Sequence, residues 1–369
     1  MQEMKFKAAI DFLKSLGEND TIVNAMDSDA DGVSAGTLIS LYLDEKSVPH
    51  INHFLGAIRR GYDWQIKNAV GAENAPQNVT HIIVSDATLD KGTYDWLAEK
   101  HIKILTIDHH VSKADPATEG SVYVNFPKNH NEGITTPSSS ALAYYLTSNA
   151  GLTGNAKWVG LIGAYSDLCL EASLKYLNMD KDEEDSYLPN KQLAFPIAEI
   201  ESMMSTTYVD PNVSETFLGI LKDSVKQNNP FLLVLEKEGR AKKIFETEAA
   251  ATGELRGWTK KIVARKDLDI NTEKKFVMFK FNPKLNIKRW LVGQLRMLYP
   301  GYTICVALDS EKYWSLSFRG GRDRDLSVLV PKSIEGIPDS RGGGHPKASG
   351  ATVPKEYLDK VIENFLALI

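Results

Sequence analysis

Apolar and polar positions in this chain repeat with two periods, and the change from one to the other marks out strand, loop and helix in succession. Phe6 to Leu16 carries apolar residues at helical spacing, and Gly17 is placed to end that helix. The unbroken apolar run from Thr21 to Met26 predicts a buried strand, followed by an amphipathic helix from Val33 to Leu43. His50 to Leu55, His81 to Ser85 and Lys103 to Ile107 predict further strands, with a helix from Lys91 to Lys100 between the last two. Ala141 to Thr147 and Trp158 to Leu170 continue the helical pattern. Short apolar runs alternating with helices predict an α/β fold: a parallel sheet with helices on both faces.

After an acidic stretch, Asp180 to Asp185, the spacing predicts helices from about Asn212 to Gln227 and from about Lys237 to Thr252. Beyond them lie an apolar-alternating segment, Lys275 to Phe281, a helix near Asn286 to Tyr299, and a hairpin of Tyr302 to Leu308 with Tyr313 to Phe318. A strand near Ser349 to Val353 and a helix from Pro354 onward close the pattern. The expected organisation is an N-terminal domain over residues 1–208, a helical connection over 209–255, and a smaller mixed α/β domain over 256–369. A chain of 369 residues exceeds the usual single-domain size, in keeping with two cores.

The predicted strands end in charged side chains. The first delivers Asp27, Asp29 and Asp31 and then Gly32; the strand at His81 ends at Asp86; the strand at Lys103 ends at Asp108, His109 and His110. Open α/β sheets bind ligands at the carboxyl ends of their strands. Several carboxylates held within a few ångströms repel one another unless a cation neutralises them, so the pattern calls for a metal. The spacing of the first three aspartates also opens an EF-hand loop, but Leu38 stands where the closing glutamate belongs and a strand precedes where a helix should. Helix capping accounts for Asp31 and leaves the other two unexplained. Asp167 interrupts an apolar helical run, where an ionised carboxylate costs several kcal/mol unless paired or coordinated. Arg59 and Arg60 form a candidate phosphate contact, and the serines after Pro137 read as a helix cap.

Composition changes this picture little. A net charge of −5 gives no overall attraction to polyanions, so a nucleic-acid contact needs a local basic patch. Cys169 and Cys305 lie far apart and form no CxxC pair, which points to a reducing compartment and to neither a disulfide framework nor a zinc-thiolate site. With no stretch of membrane-spanning length and no signal-peptide core, the expectation is a cytoplasmic protein without a membrane partner. In the second domain, Arg341 to Gly350 reads RGGGHPKASG: successive glycines let a backbone approach an anion closely, while Arg341, His345 and Lys347 add donors. Arg319, Arg322 and Arg324 follow the hairpin and are candidates for the same face.

Taken together, these motifs resemble the DHH phosphoesterase family, in the branch with a DHH-associated C-terminal domain. The resemblance rests on Asp27-Ser28-Asp29-Ala30-Asp31-Gly32, Asp86, Asp108-His109-His110, Asp167 within GAYSD, and Gly342-Gly343-Gly344-His345. It implies two divalent cations, manganese ahead of magnesium. Asp29 and Asp86 hold one, Asp31, Asp86, His109 and Asp167 the other, and Asp86 bridges them. Where many relatives place a histidine this chain has Ala25, and Asp27 fills that vacancy, as in RecJ-like exonucleases. The resemblance further implies catalytic roles for Asp86, Asp108, His109 and His110. Asp108 orients a histidine ring and His110 contacts phosphate. Arg319, Gly342, Gly343, Gly344 and His345 bind substrate in a domain that closes over the cleft.

The implied activity is hydrolysis of phosphodiester bonds in short or single-stranded oligonucleotides from an end, by water that two metal ions activate, as in exonucleases or nano-RNases. Alternatives are a phosphoesterase for cyclic dinucleotides or 3′-phosphoadenosine 5′-phosphate, and an inorganic pyrophosphatase or exopolyphosphatase, against which the glycine-histidine motif speaks. A nucleic-acid-binding scaffold without catalysis would have no reason to tolerate the mutual repulsion of so many carboxylates. The sequence leaves cleavage polarity, sugar preference and oligomeric state open, a homodimer included.

Overall fold

Five parallel strands organise the first half of the chain. The computed structural model describes residues 2–369 except 57–60, 72–75, 77, 111–114, 127–135, 168, 181–205, 207–209, 231, 265–267 and 322–323. Arg59, Arg60, Arg322 and the stretch from Lys181 to Asp185 lie outside the described residues. The described residues divide into two units, Met1–Thr247 and Glu248–Ile369. The division falls within one helix, inside the segment 209–255 expected as a helical connection.

In the first unit, α1 (Gln2–Ser15) precedes β1 (Ile22–Asp27), α2 (Ala30–Glu45), β2 (His50–Leu55), α3 (Gly61–Gly71), β3 (His81–Ser85), α4 (Lys91–Glu99), β4 (Lys103–Ile107) and β5 (Val122–Val124). The strand order is β2-β1-β3-β4-β5, and every neighbouring pair is parallel. The chain runs from β1 outward to β2 and then returns to the other side of β1 as β3. The connections therefore diverge between β1 and β3, the switch point at which an open sheet leaves a crevice at its carboxyl edge.

Successive strand residues point to opposite faces, and both faces are buried. Val23, Ala25, Ile82, Val84 and Ile104 pack with Ile66 of α3 and with Tyr94 and Leu97 of α4. Ile22, Ile83, Leu105 and Ile107 share the larger core with α1 and α2, and with α5 (Ser139–Ala150) and α6 (Lys157–Ser166). The same core takes in α7 (Leu170–Leu177) and α8 (Ser214–Lys226). Every residue of α2 from Ala30 to Leu43 is buried, so the loop that enters it is held from all sides. A short helix, α9 (Leu232–Leu235), leads to α10 (Lys242–Val263).

The second unit holds β6 (Leu268–Asn271), β7 (Phe276–Phe281), α11 (Lys288–Leu298), β8 (Thr303–Asp309), β9 (Tyr313–Arg319), α12 (Leu326–Ser333), β10 (Arg341–His345), β11 (Ala348–Pro354) and α13 (Leu358–Ala367). Its sheet has the order β10-β11-β9-β8-β7-β6, with β7 and β8 parallel and the other pairs antiparallel. One face of this sheet packs on α12 and α13 through Phe276, Phe318, Val330, Val361 and Phe365. The glycine run Gly342 to Gly344 is strand here, paired residue for residue with β11. No helix among the described residues is long and apolar enough to cross a membrane.

Candidate metal centre

Asp27 is the last residue of β1, and Asp29 caps α2 by accepting the Gly32 amide at 3.0 Å. A Cβ on Gly32 would press into the Asp27 backbone, so this tight strand-to-helix turn requires glycine. Asp27 accepts the Ser28 amide on Oδ1 at 2.8 Å and the Tyr62 hydroxyl on Oδ2 at 3.0 Å. Capping, expected for Asp31, falls instead to Asp29. Asp31 reaches a different helix, accepting the Ser139 amide on Oδ2 at 2.8 Å and the Ser140 amide on Oδ1 at 3.0 Å. The positive end of α5 thus stands against a fully buried carboxylate. Even so, desolvation raises the Asp31 carboxyl to about 6.

Asp86 follows β3, and its amide extends the sheet ladder to the Ile107 carbonyl at 2.8 Å. Its backbone is left-handed, with φ of 60°, a conformation that asparagine and aspartate tolerate better than most residues and that clusters at functional sites. The side chain is fully buried. Oδ1 accepts the Ser139 hydroxyl at 3.0 Å, and Oδ2 has no hydrogen-bond partner among the described residues. Burial, followed by the charges of Asp29, Asp31, Asp167 and Asp27, pushes this carboxyl well above its ordinary value.

After β4, Asp108 is saturated with donors. Its Oδ1 accepts the His109 and His110 amides at 2.8 and 3.1 Å and the His110 Nδ1–H at 2.8 Å. Its Oδ2 accepts Thr88 at 2.8 Å, Asn125 at 3.2 Å and Tyr123 at 3.4 Å. Burial alone would push Asp108 up, but the charge and hydrogen bond of His110 outweigh it and hold the carboxyl far below the usual range. With its acceptor positions filled, Asp108 fixes the histidine turn and leaves cation binding to its neighbours. Burial would likewise lower His110, and Asp108 more than offsets it, so this partly exposed ring holds its proton more readily than an ordinary histidine.

Three carboxylates converge on His109. Its Nε2 lies 3.6 Å from Asp31 Oδ2, 3.4 Å from Asp86 Oδ1 and 3.3 Å from Asp167 Oδ2. Adjacent ligand atoms around a cation with bonds near 2.1 Å sit roughly 3 Å apart, so this cage matches a small divalent ion. A second group, Asp27, Asp29 and Asp86, has candidate ligand atoms all within 4.8 Å of one another, and Asp86 belongs to that group as well as standing at His109. The orphaned Asp86 Oδ2 is the kind of buried atom that a cation satisfies. A donor set rich in oxygen with one imidazole suits manganese or magnesium better than zinc. The residues present therefore fit a divalent-metal centre.

All six metal-ligand candidates, with Asp108 and His110, gather at the carboxyl edge of the first sheet. The substrate-binding candidates lie in the second unit. Arg319 ends β9, with Nη1 donating to the Phe318 carbonyl at 3.0 Å. Gly342 to Gly344 are exposed in β10, and the His345 backbone pairs with Ala348. Arg324 donates to the Lys274 and Lys275 carbonyls and to the Thr303 hydroxyl, ties within its own unit. Sequence reasoning missed Tyr62 and the link from Ser139 to Asp31 and Asp86. Their partners lie 35 to 108 residues away, beyond any local pattern.

No family model and no curated protein matches the sequence. Solved structures are similar in fold. RecJ from Thermus thermophilus in complex with Mn2+ has a TM-score of 0.72 at 13% identity, covering 99% of this chain and 54% of that one. Exonuclease RecJ bound to manganese has a TM-score of 0.65 at 13% identity, covering 99% and 94%. A DHH domain described as a member of a family of ribosomal proteins has a TM-score of 0.65 at 16% identity, covering 99% and 90%. The chain spans about half the length of the Thermus RecJ. The expected α/β architecture, a DHH-type parallel sheet followed by a mixed C-terminal sheet, is the architecture observed.

Proposed function

We propose that the chain is a phosphoesterase, dependent on divalent metal, that hydrolyses phosphodiester bonds of short or single-stranded oligonucleotides from an end. The observation that carries this reading is the convergence of His109 Nε2 with oxygens of Asp31, Asp86 and Asp167, beside a second group that shares Asp86. In this reading Asp31, Asp86, His109 and Asp167 hold one ion, and Asp27, Asp29 and Asp86 hold the other, manganese in preference to magnesium. Two such ions, when bound, acidify water and neutralise charge developing on phosphoryl oxygens.

The remaining roles belong to the chain's own groups. Asp108 keeps the proton on His110 Nδ1, and the partly exposed His110 ring is assigned to a phosphoryl oxygen of the substrate. Arg319, the exposed strand segment Gly342 to Gly344 and His345 are assigned to a substrate phosphate or strand terminus. The preference for oligonucleotides is supported by likeness to the manganese-bound exonuclease RecJ, whose length this chain nearly matches.

The test is to incubate the purified chain and Mn2+ with end-labelled RNA and DNA from dinucleotides to long strands, with cyclic dinucleotides and pyrophosphate alongside. The expected result is stepwise loss of terminal nucleotides, fastest on the short strands. Release of phosphate from pyrophosphate with every oligonucleotide left intact would refute the proposal.

A further inference from the structure

The head of α5 carries three buried serines with separate tasks. Ser138 is the cap: its Oγ accepts the Ala141 amide at 3.1 Å, and its φ and ψ of −66° and 156° are those of a residue just outside the helix. Ser140 donates its hydroxyl to the Gly160 carbonyl at 2.9 Å, joining α5 to α6. Ser139 therefore has no capping duty to perform. Its hydroxyl crosses to Asp86 Oδ1 at 3.0 Å, while its amide donates to Asp31 Oδ2 at 2.8 Å. One residue touches two of the carboxylates around His109.

That contact restricts rotation. Among the described residues, the Ser139 hydroxyl is the hydrogen-bond donor to Asp86, whose Oδ2 has none. A carboxylate pinned at one oxygen keeps the other at a fixed place, which matters most for a ligand that serves two ions. Asp31 is pinned at both oxygens by consecutive amides and needs no help from a side chain.

We propose that Ser139 is a positioning residue of the metal centre: its hydroxyl sets the rotation of the Asp86 carboxylate, and its amide sets that of Asp31, so that the two present their oxygens to divalent ions together. The inference rests on the metal-centre reading above and concerns how tightly the ions are held. Groups that orient metal ligands in this way affect affinity by about 10- to 100-fold.

The test is calorimetric titration of Mn2+ into the metal-stripped full chain, with thermal unfolding of each stripped variant as the control. Ser139→Ala keeps the amide and removes the hydroxyl, and we expect Mn2+ affinity to fall by about 10- to 100-fold at one or both sites while the stripped protein's melting temperature barely moves. Ser139→Thr restores a hydroxyl and should recover most of that affinity. Ser138→Ala, which removes the cap, should show the reverse: a lower melting temperature with Mn2+ affinity retained. Unchanged Mn2+ affinity in Ser139→Ala overturns the proposal, as does an equal loss in Ser138→Ala, which would make the effect one of helix integrity. A wild-type chain that takes up no Mn2+ overturns the metal centre itself and the proposal with it.

Discussion

Replacing Asp86 by asparagine should make the metal-free protein more stable and the manganese-loaded protein less so. The side chain is fully buried, and its ligand atom lies within 4.8 Å of those of Asp27 and Asp29. Two unit charges 4.8 Å apart repel by about 3 kcal/mol at an effective dielectric of ~20. Burial favours the protonated form of Asp86, which relieves part of that repulsion and leaves a net gain on the order of 1–3 kcal/mol for a neutral replacement. Asparagine keeps an acceptor for the Ser139 hydroxyl and offers an N–H to the neighbouring carboxylates. With metal present the sign reverses, since a ligand at 100 times its Kd adds about 2.7 kcal/mol per site and the variant forfeits it. Urea unfolding in chelator and in Mn2+, for wild type and Asp86→Asn, measures both terms. A variant that is less stable than wild type in chelator, or one that Mn2+ stabilises as strongly as wild type, would refute the electrostatic reasoning.

Gly163 on α6 passes so close to Asp31 that a Cβ there would overlap the Asp31 and Ser140 side chains. Gly163→Ala should therefore cost about 2 kcal/mol by overpacking and weaken Mn2+ binding, read by unfolding and by titration. Tyr62→Phe removes the hydroxyl that holds Asp27 and should lower Mn2+ affinity about tenfold with little change in melting temperature. Away from the centre, burial pushes the Asp44 carboxyl up, but Lys222 and Lys226 outweigh it and hold it below its ordinary value. Because its folded value is depressed, its contribution is present above the unfolded value of about 4 and is lost as pH falls through the folded one. Asp44→Asn should therefore cost about 1 kcal/mol at neutral pH and nothing in strong acid, which unfolding curves across pH will check.

The parts of the fold that were legible in the sequence are those written in local apolar runs. His81 to Ser85 and Lys103 to Ile107 match their observed strands end to end, because a strand buried on both faces needs nearly every position apolar. His50 to Leu55 matches as well, although it is the edge strand and only Leu55 in it is buried. Val122 to Val124 is too short for any pattern to register. Gly342 to Gly344 has no intrinsic preference for a strand, and its pairing with Ala351, Gly350 and Ser349 imposes the extended form. At the metal centre the residue types and their places at strand ends could be read directly. The left-handed backbone of Asp86 and the bonds from Tyr62 and Ser139 could not, since each is set by packing between segments distant in sequence. The helix through Trp158 shows the same division: its buried face was legible, but its end at Asp167 and the turn that brings that carboxylate to His109 were not.

The most direct measurement of the central claim is an equilibrium titration of Mn2+ into the metal-stripped chain, with cleavage of a labelled dinucleotide followed in the same samples. Two ions should bind per chain, with turnover rising as the second is taken up and lost again on chelation. Turnover that persists in excess chelator, or saturation with Mn2+ at two per chain without cleavage of any phosphodiester, would contradict the claim.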